Sequence, residues 1–178
     1  MLALVMLTGC SGKEAELDRA MALRAKLLNA CCSFDGEITA DYGNSIQTFG
    51  VYCEGNAQGD LGFRVTMPES IAGITGRIAG GAGELSFPDT ALAFPLLAEE
   101  QLSPVSGPWI FWNTLRSGYI TAAGMEEDLL RLTIDESYAD NALTMDVWLN
   151  DQDVPVRAEL VYDGRRILTL TIENFQIL

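Results

Sequence analysis

Two stretches in the last third of the chain alternate apolar and polar residues one by one, and a period of two is a pattern that only a half-buried β-strand satisfies. Leu130, Leu132 and Ile134 alternate with Arg131, Thr133 and Asp135. Leu143, Met145, Val147 and Leu149 alternate with Thr144, Asp146 and Trp148. Successive side chains of a strand point to opposite faces, so each run offers one face to a core and one to solvent. Val154-Pro155-Val156 leads another strand to Tyr162. Asp163-Gly164 then reads as a two-residue hairpin turn, because both positions favour positive φ. A last strand follows over about 165–175. Strands joined by short turns, with no helical crossover, make an antiparallel meander.

Earlier in the chain, alternating runs broken by Gly, Asn and Asp predict strands near 34–42, 46–54, 59–67 and 71–79, with shorter ones near 82–87 and 90–95. Four glycines, at 76, 80, 81 and 83, lie in this region. They lack the Lys-Ser/Thr of a phosphate loop and the Gly-x-Gly-x-x-Gly of a dinucleotide fold, so they predict a hairpin tip. Residues 13–32 read as an amphipathic helix that covers a sheet. Leu17, Met21, Leu27, Leu28 and Cys31 fall near one stripe, with Glu14, Asp18, Arg19 and Lys26 mainly elsewhere. A second, short helix over 108–117 starts at Pro108 and stops at Gly118. It brings together Trp109, Ile110, Trp112 and Leu115, which either plug a curved sheet or line a cavity or interface.

The first nine residues carry no charge and are mostly apolar. They end in Leu7-Thr8-Gly9-Cys10, followed by Ser11-Gly12-Lys13. Small residues before a cut suit a signal peptidase pocket. This order resembles the lipobox of bacterial lipoproteins. The resemblance implies that residues 1–9 are a signal peptide and that Cys10 takes a diacylglyceryl group and becomes the new N-terminus of a single domain, 10–178. The apolar run is short and no Lys or Arg precedes it, as expected of a start codon placed too far downstream. Such a run cannot span a bilayer, which needs about 20 residues. The chain is therefore expected outside the cytoplasm, held at the cell membrane by acyl chains such as palmitate, of which two or more give stable attachment.

The formal net charge is -14, which repels phosphate backbones and argues against a nucleic-acid partner. The chain contains no histidine, which excludes Ser-His-Asp and Cys-His catalysis and any His-ligated metal. Adjacent carboxylates occur at Glu99-Glu100 and at Glu126-Glu127-Asp128. Neighbours in a strand face opposite ways, so adjacency does not make them a catalytic pair. No catalytic residue, metal or cofactor is expected. Once Cys10 is lipidated, Cys31, Cys32 and Cys53 remain, an odd number. Either Cys31 or Cys32 bridges to Cys53, or all three are small buried side chains.

The run from Pro155 to Arg166 (PVRAELVYDGRR), followed by Ile172-Glu173-Asn174-Phe175, resembles the closing hairpin of the LolA/LolB-like superfamily of bacterial lipoproteins, including a Gram-positive, germination-lipoprotein-like branch. There a Pro begins a strand and an Asn-Phe pair ends the last one. The resemblance implies an α+β fold: an unclosed antiparallel half-barrel wrapped around an N-terminal helix and a short internal helix. It also implies one of two non-enzymatic roles. The first is binding an apolar ligand such as a lipid or acyl chain, with Trp109, Phe111, Trp112, Met145, Val147, Phe87 and Phe94 as candidate cavity residues. The second is that of a cell-envelope adaptor that binds and regulates a partner protein, such as a cell-wall or spore-cortex hydrolase. A carrier needs a large, dry cavity open at one end. An adaptor shows a filled core with an exposed apolar patch or an unpaired strand edge.

Overall fold

The computed structural model describes residues 11–87, 90–94, 97–98, 101–136 and 143–178. Residues 1–10, and with them the expected signal peptide and Cys10, lie outside the described residues. The chain opens with helix α1 (Ser11–Leu27) and continues through β1 (Cys32–Asp41), β2 (Ile46–Gly55), β3 (Leu61–Met67), β4 (Thr75–Ala79), β5 (Ala82–Phe87) and β6 (Thr90–Phe94). A two-stranded ribbon of β7 (Leu97–Ala98) and β8 (Gln101–Leu102) leads to helix α2 (Gly107–Ser117). Then come β9 (Tyr119–Glu126), β10 (Leu129–Asp135), β11 (Thr144–Leu149), β12 (Pro155–Tyr162) and β13 (Arg165–Ile177).

Eleven strands form one antiparallel sheet in the order β6-β5-β4-β3-β2-β1-β13-β12-β11-β10-β9. It consists of two meanders that fan out from a central seam, where the first strand pairs with the last over Cys32↔Ile177 to Ala40↔Leu168. The sheet does not close: β6 and β9 are its two edges. The two-residue turns Gly80-Gly81 and Asp163-Gly164 have positive φ at all four positions, the geometry that hairpin twist demands. Residues 69–71 form a 3-10 turn instead of beginning a strand, so β4 starts four residues later than the alternation predicts.

The concave face carries the core. Phe34, Ile38, Val51, Cys53, Leu61, Leu132, Met145, Leu160 and Leu170 all point into it and are buried. At the seam, the register shifts between Ser33 and Asp35, opposite Asn174, which sits at φ 51°. The Asn174 amide donates to Asp35 Oδ2 at 2.9 Å. The bulge brings Phe175 onto Phe34, with ring centroids 6.0 Å apart, and edge-on to Phe111 at 6.4 Å. The Asn-Phe pair near the end of the last strand thus anchors that strand to the core.

Helix α1 is shorter than expected and buries a different face. It ends at Leu27, and Cys32 already belongs to β1. Ala20, Leu23 and Leu27 are its buried residues, whereas Leu17, Met21 and Leu28 are 43%, 50% and 48% exposed. The covered stripe is centred on the smaller Ala20, which lets the helix approach the sheet closely. Helix α2 is where expected, but Gly118 ends it in extended geometry (φ -65°), not in the left-handed cap that glycine usually provides. A Cβ at Gly118 would lie 2.6 Å from Ile134 Cγ2, so a close approach requires the glycine here.

Candidate functional site

Helix α2 fills the concavity of the sheet. Pro108, Ile110, Phe111, Trp112, Thr114, Leu115 and Arg116 are all buried, so the helix is enclosed on nearly every side. Four of the seven candidate cavity residues, Phe111, Trp112, Met145 and Val147, have 0% accessible surface. A side chain that a water-sized probe cannot touch does not border a space fit for an acyl chain, so these four form packed core and line no open cavity. Trp109 is half-buried, and its indole N–H donates to the Gly59 carbonyl at 2.9 Å. Phe87 is half-buried on β5, and the side chain of Phe94 lies outside the described residues.

Two arginines pin the helices to each other. Arg24, in the last turn of α1, donates to the Leu115 carbonyl in the last turn of α2 at 3.2 Å. Arg116, at the end of α2, donates to the Leu27 carbonyl at 3.1 Å, to the Leu28 carbonyl at 2.9 Å and to the Ala57 carbonyl. Each helix so satisfies the orphaned carbonyls of the other's C-terminus, where the helix dipole attracts a cation. Arg116 also lies over the Trp112 ring, 5.0 Å from its centroid.

The surface beside α1 is different. Among the described residues no strand pairs with the outer edge of β9, and no residue of β9 is buried. Leu17 and Met21 on α1 and Leu28 just after it, with Tyr119 and Met125 on β9, account for five of the eleven exposed large apolar side chains of the described residues. A groove of about 260 Å³ runs between Leu17 and residues Ile120, Thr121, Ala122 and Ala123. A second depression, of about 350 Å³, continues along β9 over Ala122 to Glu126 towards Arg131 and Thr133. Arg19 fixes the helix beside this edge, with a 2.7 Å ion pair to Asp153 and a contact to Met125 Sδ.

The outer face next to β9 is held by charge pairs. Arg131 bonds Glu126 Oε2 at 3.0 Å and Asp146 Oδ2 at 2.8 Å. The Asp146 carboxylate beside it raises the Arg131 pKa, so this guanidinium stays charged. Arg131 and Arg157 stack on opposite strands over Trp148, at 5.3 and 4.6 Å, and Glu159 links Arg157 to Arg166. Of the adjacent carboxylates, Glu126 serves this network, Glu127 occupies the β9–β10 turn at φ 55°, and Asp128 is exposed beside it. Glu99 and Glu100 lie outside the described residues.

The three thiols are free. Cys32 pairs with Gly55, and Cys53 with Phe34, so Cys32 and Cys53 are diagonal neighbours. Diagonal partners sit about 7–8 Å apart, beyond the usual span of a disulfide. The bridge weighed from the sequence is therefore not formed: Cys32 and Cys53 are buried singly, and Cys31 is exposed. Burial pushes the Cys32 thiol up to about 12 and raises Cys53 as well.

The unclosed antiparallel sheet, with one helix ahead of it and one held in its concave face, is the layout that the closing hairpin implied. The fold is LolA-like. No family model matches the sequence, and no curated protein matches it. Among solved structures, the half-barrel is similar to a LolA superfamily protein from Nitrosomonas europaea, with 10% identity, a TM-score of 0.47, and coverage of 88% of this chain and 92% of that one. It is similar to the Mycobacterium tuberculosis lipoprotein LppX, with 15% identity, a TM-score of 0.43, and coverage of 90% and 93%. It is also similar to a chain in the structure of the CwlD amidase from Clostridioides difficile in complex with the GerS lipoprotein, with 15% identity, a TM-score of 0.46, and coverage of 96% and 99%.

The site that emerges is the β9 edge with its flanking helix, and sequence reasoning missed it. After Gly118 the chain reads Tyr-Ile-Thr-Ala-Ala-Gly-Met-Glu. Its aromatic and β-branched start is a strand signal. The small residues that follow show no alternation, because this edge strand is covered only in part, at Ile120 and Ala123.

Proposed function

We propose that the chain is a cell-envelope adaptor, held at a membrane by lipid on Cys10, which binds and regulates a partner protein. The observation that carries this reading is the filled concavity: Phe111, Trp112, Met145 and Val147 have no accessible surface. Small-molecule sites are concave and substantially pre-formed. An acyl chain would have to displace helix α2, whose C-terminal end Arg24 and Arg116 tie to the C-terminal end of α1. Five of the eleven exposed large apolar side chains of the described residues gather instead around α1 and the edge strand β9. A net charge of -14 suits a partner with a basic surface, since complementary fields speed encounter.

Native mass spectrometry of residues 11–178, purified without detergent from cells containing ordinary phospholipids, tests the choice. The adaptor reading expects a ligand-free mass, together with one protein that co-isolates in fixed stoichiometry with the membrane-bound chain. A one-to-one adduct of lipid mass on the folded protein would return the concave face to the status of a binding site.

A further inference from the structure

We infer that the edge of β9, with the exposed stripe of α1 beside it, is the docking site for an extended, basic segment of a partner protein, which adds to the sheet as a twelfth strand. The inference rests on the adaptor reading and locates its interface.

The backbone is the first argument. In an antiparallel pair, every other residue turns its N–H and C=O away from the neighbouring strand. Apart from the bulge at Thr121, which has no residue opposite it on β10, the residues of β9 thus present a row of hydrogen-bonding groups to the outside, and among the described residues β10 is the strand's only partner. Exposed edges are normally blunted by Lys, Pro, inward-pointing charge or short length. The opposite edge, β6, has only five residues. β9 is longer, contains neither Lys nor Pro, and has Thr121, Ala122, Ala123 and Gly124 at its centre, where small side chains let another backbone approach.

The second argument is the wall of the groove. An added strand would place alternate side chains against Leu17 and Met21 of α1, which are half-exposed beside it. The third is charge. The groove runs out at Glu126, which is paired with Arg131, beside the exposed Glu127 and Asp128 of the turn, and Glu14 lies one turn ahead of Leu17 on α1. Lys or Arg at one end of the incoming segment meets the acidic turn, whereas a second copy of this chain brings its own charge of -14. A lipid surface suits the same apolar residues less well, because hydrocarbon leaves the outward backbone groups of β9 without partners and a chain of net charge -14 repels anionic headgroups.

The test places a photoreactive benzoylphenylalanine at Ala122 of the full chain in its own cells, with Gln47, exposed on β2 opposite Ala40, as the control position. The expected result is one protein cross-linked from position 122 and not from 47. The cross-linked peptide should contain Lys or Arg within a few residues. Leu17→Asp combined with Met21→Asp should reduce the yield at least ten-fold. Because Leu17→Asp with Met21→Asp can perturb α1, Ala122→Lys serves as a second variant, read by co-isolation of the partner from a chain without the photoreactive residue, and thermal unfolding verifies that each remains folded. A partner that co-isolates with the wild type yet cross-links equally from 47, or survives these variants unchanged, leaves the adaptor reading standing and overturns the β9 assignment. Cross-links from 122 to lipid alone overturn it in favour of membrane docking. Cross-links to a second copy overturn it in favour of self-association. Absence of any partner by cross-linking and by co-isolation removes both readings.

Discussion

Arg116 is a buried cation surrounded by carbonyls: among the described residues, no ion pair includes it, and its guanidinium bonds Leu27, Leu28 and Ala57. Nothing in the local sequence foretells this, since an arginine near the end of a helix is ordinarily a solvated one. Removing it strands carbonyls of both α1 and the 57 loop, and hydrogen bonds to charged groups are worth about 1.5–3 kcal/mol each. Arg116→Met should therefore lower stability by about 2–4 kcal/mol in a urea titration. Arg116→Lys should recover only part of the loss, because an ammonium lacks the planar fork that reaches several acceptors. The thiols give a second test at this scale. Cys31 is exposed while Cys32 and Cys53 are buried. An alkylating reagent at neutral pH should modify Cys31 quickly and the other two only at the rate of unfolding; equal rates for all three would contradict the packing. Since the folded Cys32 thiol is pushed up to about 12 and an unfolded one ionises near ~9, its contribution to stability is intact below ~9 and lost as pH rises from there towards 12.

Among the elements, those with one closed face were legible and those without were not. β10 and β11 alternate between a buried face and a polar one, and the sequence shows that alternation directly, while β12 and β13 were marked by Pro155 and the turn between them. The Asp163-Gly164 turn and the start of α2 at Gly107-Pro108 were equally readable from local chemistry. The failure at β9 has the opposite cause: a strand covered only in part, at Ile120 and Ala123, and buried nowhere imposes no regular pattern. Helix α1 was found but rotated, because periodicity weights the bulky Leu17 and Met21, whereas packing turned the slimmer Ala20–Leu23–Leu27 stripe inward. The two faces predict different outcomes. Leu23→Ala and Leu27→Ala should each cost about 2–5 kcal/mol by leaving cavities. Leu17→Ala and Met21→Ala should shift stability by less than about 0.5 kcal/mol. Denaturation midpoints of the four variants decide whether the assignment of faces is right.

For the molecule as a whole, the half-barrel was legible from the order of elements, but its interior was not. Aromatic residues close together at 109–112 suit a cavity and a plug equally well, and only the depth to which α2 sinks separates them. Anchoring is likewise a property of the entire chain. Cys10→Ser should move the protein from the membrane pellet to the soluble fraction after cell disruption; retention in the pellet would count against the lipid anchor. The seam described above adds a constraint on timing. Because β1 finds its central partner only in β13, the two meanders cannot be stitched together until residues 165–177 have emerged. A chain threaded through a membrane pore from its N-terminus would remain two unjoined ribbons until that strand followed, so topology alone would keep it pliant for transport.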